Sequence, residues 1–407
     1  MGAGWRRLVL TTAVGGIGLS LYAGLLTVED VRDRAASERD IAAACDHLVS
    51  GAQVMDLQGG MVRAESDDWD KRRLDIRRLP GTCTVYKKTD GPHKSTELFR
   101  LAVRSGDDPE PVNGVGDQSS VPFSLFDDHL RPKADATAVA ARDPEDWPLG
   151  DGTLGSYTDF RTTIRAECGP GSDTGAPGLL KVTAVALYPK VPGEDRRRLA
   201  SLAHAAMRQL THRTGCHTRL PALPARLAPV PTRLRPAASA GGSCRWAARL
   251  VKKENRLPDR ALATPVRDTN PVESCLLAVG PDRVRAVAPG LDGAQRDYAE
   301  ATRAAAPWWL RTVSYFGAEA ESVNLRTLTD DTKLKPGTAG GEEGTWWASS
   351  LCHGEPALHT LATASPYDRV LGPEAINSMF RAYVDDITAR RGCAHVTYPT
   401  AKDFRKR

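Results

Sequence analysis

Charge of one sign is scarce in this chain of 407 residues: 55 Lys and Arg stand against 50 Asp and Glu, and the formal net charge is only +5. A balance that close gives no long-range field to gather a polyanion, so overall charge offers nothing for nucleic acid or acidic polymers. Catalytic signatures are missing too. There is no Gly-x-Ser-x-Gly, no His-Glu-x-x-His and no phosphate-cradling loop, so the chain reads as noncatalytic and without a cofactor. Local Cys-x-x-Cys pairs are lacking, which removes the usual zinc spacing. Long apolar runs are lacking with one exception, at the N-terminus.

That exception runs uncharged from Leu8 to Leu26, behind Arg6 and Arg7 and ahead of Glu29 and Asp30. Nineteen residues at about 1.5 Å each span about 28 Å, close to the roughly 30 Å hydrocarbon core of a bilayer. Positive charge before the run places residues 1–7 in the cytoplasm, residues 8–26 across the plasma membrane as a signal anchor, and the bulk outside. A cleaved signal peptide, giving a secreted protein, is the alternative. The exit Tyr22-Ala23-Gly24-Leu25-Leu26-Thr27-Val28 has no good Ala-x-Ala site, which favours the anchor.

Eight cysteines suit an oxidising compartment, and they form two equal sets: Cys45, Cys83, Cys168 and Cys216, then Cys244, Cys275, Cys352 and Cys393. The last member of each set follows a similar helix. Leu199, Leu202, Ala203, Ala206, Met207 and Leu210 make an apolar stripe ahead of Gly215-Cys216, and Ile376, Met379, Phe380, Tyr383, Val384 and Ile387 do so ahead of Gly392-Cys393. The chain therefore reads as a tandem duplication, with module 1 over residues 35–218 and module 2 over 243–400. Residues 219–242 lie between them, with prolines at 221, 224, 229, 231 and 236, and read as a semi-stiff Pro/Arg-rich linker, the alternative being a packed surface loop.

Within each module the order of parts agrees. Short strands open at Cys83 and Cys275. Polar stretches containing Asp127-Asp128 and Asp330-Asp331 follow, and Gly-rich turns at 150–152 and 340–341 lead to the third cysteine. Phe160, Thr162, Ile164, Ala166 and Cys168 alternate onto one face, as do Trp346, Ala348, Ser350 and Cys352. Pro373 marks a helix start and Gly392 a left-handed cap. A further helix is expected over Gly293 to Tyr315, broken at Pro307 before Trp308-Trp309. The fold class is α+β: an N-terminal transmembrane helix, then two homologous disulfide-bridged modules, each a small sheet with helices packed on it. Four cysteines per module permit three connectivities. The expected set is Cys45–Cys83, Cys168–Cys216, Cys244–Cys275 and Cys352–Cys393, each bridge contributing on the order of 3–4 kcal/mol.

Other candidates carry less chemistry. His47, His217, His353 and His395 sit beside or near cysteines, but without metal-ligand spacing they read as exposed neighbours of bridges. Asp127-Asp128, Asp330-Asp331 and Asp67-Asp68-Trp69-Asp70 read as turns. One ring of Trp346 and Trp347 belongs in the core, since neighbours on a strand point to opposite faces.

The Pro148-Leu149-Gly150-Asp151-Gly152 turn ahead of Arg165-Ala166-Glu167-Cys168, the ending Arg213-Thr214-Gly215-Cys216, and their repeats Ser350-Leu351-Cys352 and Arg391-Gly392-Cys393 resemble uncharacterised membrane-anchored extracytoplasmic proteins of actinobacteria such as Streptomyces. The resemblance implies no activity or site. The expected function is a noncatalytic binding or adaptor protein of the cell envelope, its partner an envelope protein or polymer. A hydrolase acting on wall polymer or peptide and a sensor working through a membrane partner are the other readings.

Overall fold

The computed structural model describes residues 28–61, 63–66, 73–88, 95–106, 110–112, 122–123, 135–140, 142–169, 172–173, 178–251, 256–296, 307–326, 331–342, 344–365 and 367–405. Residues 1–7, the anchor expected at 8–26, and the acidic runs at 67–70 and 127–128 lie outside them, as does Asp330. Among the described residues no helix is long and apolar enough to cross a membrane.

Module 1 begins with helix α1 over residues 28–44 and the short helix α2 (Gly51–Met55), capped by the Ser50 side chain. Its strands are β1 (Ala64–Ser66), β2 (Gly81–Lys88), β3 (Ser95–Ser105), β4 (Glu110–Val112), β5 (Trp147–Pro148), β6 (Gly155–Tyr157), β7 (Arg161–Glu167) and β8 (Leu179–Ala186). Helix α3 (Gly193–Arg213) closes the module. Module 2 supplies β9 (Arg235–Pro236), β10 (Arg260–Ala263), β11 (Val272–Ala278), helix α4 (Pro281–Val287), β12 (Trp309–Phe316), β13 (Val323–Arg326), β14 (Asp331–Lys333), β15 (Gly340–Glu342), β16 (Thr345–Cys352), β17 (Glu355–Thr363), helix α5 (Tyr367–Arg390) and β18 (Cys393–Thr397). The architecture is α+β with antiparallel sheets and four disulfides.

Strand order repeats between the halves. The first sheet runs β1-β2-β3-β8-β7-β6-β5 and the second β10-β11-β12-β17-β16-β15 along the same path, with β9 beyond β10 and β18 beside β16. Register repeats as well. In module 1, Cys83 pairs with Leu101, Leu101 with Ala184, and Ala184 with Thr162, six residues before Cys168. In module 2, Cys275 pairs with Thr312, Thr312 with Leu361, and Leu361 with Trp346, six residues before Cys352. A slip of one residue in any of these strands would turn its apolar set out of the core, and the two sheets agree in strand order and in register across four strands.

Cys45–Cys83, Cys168–Cys216, Cys244–Cys275 and Cys352–Cys393 are the pairs expected, with Cα separations of 5.3, 5.0, 5.1 and 3.9 Å. The last is closer than the usual disulfide span because Cys352 and Cys393 are direct cross-strand neighbours on β16 and β18. Helix α3 buries Leu199, Leu202, Ala203, Ala206, Met207 and Leu210, and Gly215 follows it at φ 65°. In α5 the regular turns resume at Pro373, after Gly372 breaks the helix at φ 74°.

Two expectations need correction. The segment from Trp309 onward is not helical: residues 293–296 are helix, 297–306 lie outside the described residues, and Trp309–Phe316 is the strand β12, at the centre of its sheet. Its aromatic and β-branched residues suit a strand, and β3 occupies the same place in module 1. The stretch 219–242 is not a free spacer. Leu220, Leu223 and Leu227 pack on the core of module 1, Val230 is buried, and the Val230 amide donates to Asp159. Arg196 donates to the carbonyl of Leu227, so the prolines stiffen a strap fastened to the surface.

Candidate functional site

With helices covering one face of each sheet, the residues of opposite parity on β3, β7, β8, β11 and β12 turn toward the other module. They enclose a cavity of about 400 Å³. Module 1 contributes Ala102, Arg104, Arg161, Thr163, Arg165, Lys181 and Thr183, and module 2 contributes Val272, Ser274, Arg311, Val313, Tyr315 and Glu319. The loop before β5 adds Asp143, Glu145 and Asp146.

Ion pairs cross between the modules at both ends of the cavity. Glu319 accepts from Arg165 Nε at 3.0 Å and also pairs with Lys181, whose Nζ donates to Ser322 Oγ at 3.4 Å. At the other end Arg311 Nε reaches Glu145 at 2.8 Å and its Nη1 reaches Asp143 at 2.8 Å, while Nη2 donates to the Asp143 carbonyl. Burial opposes the Arg311 charge, but the two carboxylates outweigh it and hold the guanidinium above the ordinary arginine range. Arg161 shares Asp143 at 3.4 Å and pairs with Asp146 at 2.7 Å. Thr163 and Thr183 share a hydrogen bond of 3.0 Å on the floor between the ends.

Backbone contacts fix the modules around the cavity. β4 pairs in parallel with β13, and the 150–152 turn receives Thr269 Oγ1 on the Asp151 carbonyl at 2.7 Å. Phe123 and Ala140, from the long connection between β3 and β5, are buried in the core of module 2. Arg260 of β10 donates to Asp135 at 2.5 Å and to Thr137 at 3.0 Å.

The residues singled out in the sequence sit elsewhere. All eight cysteines are bridged, on the helix-covered faces or near the ends of strands and helices. His47, His217, His353 and His395 are exposed, and among the described residues no group of three potential ligands could hold a metal ion. Trp346 is core, stacked on Phe404 at 5.8 Å, whereas Trp347 faces the opposite way onto a small cluster of Ala320, Val323, Leu325, Leu334 and Leu358.

The cavity residues escaped the sequence reading, although their signal was present. Arg100, Ala102 and Arg104 alternate with Phe99, Leu101 and Val103 along β3, and Arg165 and Lys181 occupy the outward parity of strands whose other face is core. Outward polar residues ordinarily face water, and nothing local says that a second sheet covers them. Chemically, the described lining holds neither histidine nor cysteine, and Asp143, Glu145 and Glu319 are held in ion pairs. The arrangement can bind and orient a polar molecule. A comparison of the chain with protein families, with curated proteins and with solved structures finds no match.

Proposed function

We propose that this is a noncatalytic binding protein of the cell envelope, held at the outer face of the plasma membrane by residues 8–26, whose ligand occupies the cavity between the two modules. The observation that carries the reading is the cavity itself: about 400 Å³, within the range of small-molecule sites, walled by two rigid sheets and lined by charged and hydroxyl groups. Four disulfides and the polarity of the N-terminal run support the location. Because residues 219–242 are strapped to module 1, the modules act as one receptor in this reading rather than as two arms on a spacer.

The test uses the full chain in lipid nanodiscs, equilibrated with a mixture of small polar compounds extracted from envelopes. After washing and denaturation, mass spectrometry identifies what was retained. Wild type should enrich unmodified compounds, and Thr163→Trp, which places an indole in the cavity, should not. Equal retention by both proteins would overturn the reading, and chemically altered compounds would favour an envelope hydrolase.

A further inference from the structure

The near balance of charge over the whole chain conceals a segregation. From Arg196 to Lys253, 58 residues contain eleven Arg, two Lys and no Asp or Glu. The net charge of the chain is only +5, so everything outside this segment is net acidic. Carboxylates from outside it neutralise part of the charge: Asp159 pairs with Arg196, Glu194 and Asp195 with Arg198, Asp46 with Arg213, and Asp386 with Arg245. Arg197, Arg208, Arg219 and Arg226 are exposed, and among the described residues none of their side chains has a hydrogen bond or an ion pair.

The fold gathers those four on one surface of module 1. Arg197 lies two turns before His204 and Arg208 one turn after it, so the three share a face of α3. The strap returns along that face: His204 Nε2 donates to the Pro221 carbonyl at 3.0 Å, and Arg196 donates to the Leu227 carbonyl at 3.2 Å. Running antiparallel to the helix, the strap sets Arg219 toward the level of Arg208 and Arg226 toward that of Arg197. Solvated arginines with no carboxylate paired to them hold a positive surface that attracts anions. The surface is open and spread over three turns of α3, and one exposed ion pair contributes only about 0–1 kcal/mol, too little to hold a single small anion. A chain of anions that meets several arginines at once releases a counterion at each and sums their contributions.

Orientation separates such a polymer from the bilayer. Arg34, in the first half of α1, and Arg198, near the start of α3, both meet Asp56, whereas Asp46, just past the end of α1, pairs with Arg213 at the end of α3. The two helices therefore run the same way. In the anchored reading α1 starts beside the bilayer, so the arginines of α3 and the strap lead outward from the membrane instead of lying along it.

We infer that this face of module 1 docks a linear phosphodiester polymer of the cell wall. A guanidinium group offers paired N–H donors that match the two free oxygens of a phosphodiester, and all four unpaired cations are arginine. The inference shares the envelope location with the reading above and makes no use of the cavity, so either can fail alone.

The test measures binding of the full chain, in nanodiscs of zwitterionic lipid, to poly(glycerol phosphate), to polyglutamate and to vesicles containing phosphatidylglycerol. Wild type should bind poly(glycerol phosphate) best, with an affinity that falls by about tenfold or more between about 50 and 200 mM salt. Arg208→Gln, Arg219→Gln and Arg226→Gln together should lower that affinity by about tenfold or more and leave the urea midpoint unchanged, since these side chains have no partners to lose. Lys333→Gln, Lys335→Gln and Lys402→Gln together, an equal change in net charge at exposed sites outside the segment, should bind as wild type does. Equal losses in the two triple variants would reduce the effect to net charge and overturn the inference. So would polyglutamate bound as tightly as poly(glycerol phosphate), a preference for the vesicles, or no binding to the polymer.

Discussion

His359 has no counterpart in module 1. By register and by counting back from the bridged cysteines, Ser314, Ser350, His359 and Tyr383 stand where module 1 has Val103, Ala166, Val182 and Ala206. The imidazole is fully buried and bridges Ser314 Oγ and Ser350 Oγ, each 2.9 Å away, while Ser314 also bonds the Tyr383 hydroxyl. Burial pushes its pKa down to about 3, so the folded protein holds the ring neutral. In the unfolded chain the ring titrates near 6.5. Its contribution is therefore full above about pH 6.5 and declines as the pH falls toward 3, by up to about 1.4 kcal/mol per pH unit. Urea unfolding of wild type and His359→Leu should show the variant about 1–3 kcal/mol less stable at pH 7.5, through the two serines left without their partner. The gap should narrow as the pH is lowered to 4.5, and a gap independent of pH would contradict a neutral buried ring. Glu319 makes the converse case, since its partners Arg165 and Lys181 are about nine-tenths buried. Removing one member of a buried pair leaves uncompensated charge, so Glu319→Ala should cost about 3–5 kcal/mol in urea unfolding, and adding Lys181→Met should cost less than the sum of the single changes.

At the scale of elements, the 150–152 turn is a point of close contact between the modules. Gly152 has φ +100°, and a Cβ there would stand 2.9 Å from the Cα of Asn270, whereas at Gly150, with φ +61°, the nearest neighbour is a Pro224 ring carbon at 3.8 Å. Gly152→Ala should therefore lower stability by about 1–3 kcal/mol and Gly150→Ala by about 1 kcal/mol, read from urea midpoints. Equal effects would mean that only backbone conformation matters and that the modules do not touch at this turn. The elements that were legible in the sequence are those whose signal is local. The parity of Ile164, Ala166 and Cys168, the stripe of α3 and the break ahead of Pro373 each specify a face or an end without reference to distant residues. The strand β12 was missed because Trp309 and Leu310 follow a helix-like stretch, and adjacent bulky residues satisfy either period over so short a run.

For the molecule as a whole, the repeated order of parts was legible and the docking was not. Cysteines repeat at intervals that a single chain displays, but the partners of Arg165, Lys181 and Arg311 lie far along the sequence and on elements of the other module. Two sheets with polar outer faces look alike whether they stand apart in water or enclose a wet cavity together. The prolines of 219–242 had the composition of a spacer. Their neighbours Leu220, Leu223 and Leu227 are the residues that fasten the strap. The candidate site depends on this docking throughout, because each end of the cavity carries an ion pair that crosses between modules.

The docking is tested most directly by the distance between the two outer helices in solution. Nitroxides introduced without thiol chemistry, since all eight cysteines are bridged, would replace the exposed Gln209 on α3 and Ser378 on α5. Pulsed electron paramagnetic resonance on the full chain in nanodiscs should give one narrow distance distribution centred on the separation in this structure. A broad distribution, as two modules on a mobile spacer would produce, would contradict the docked pair and the cavity built upon it.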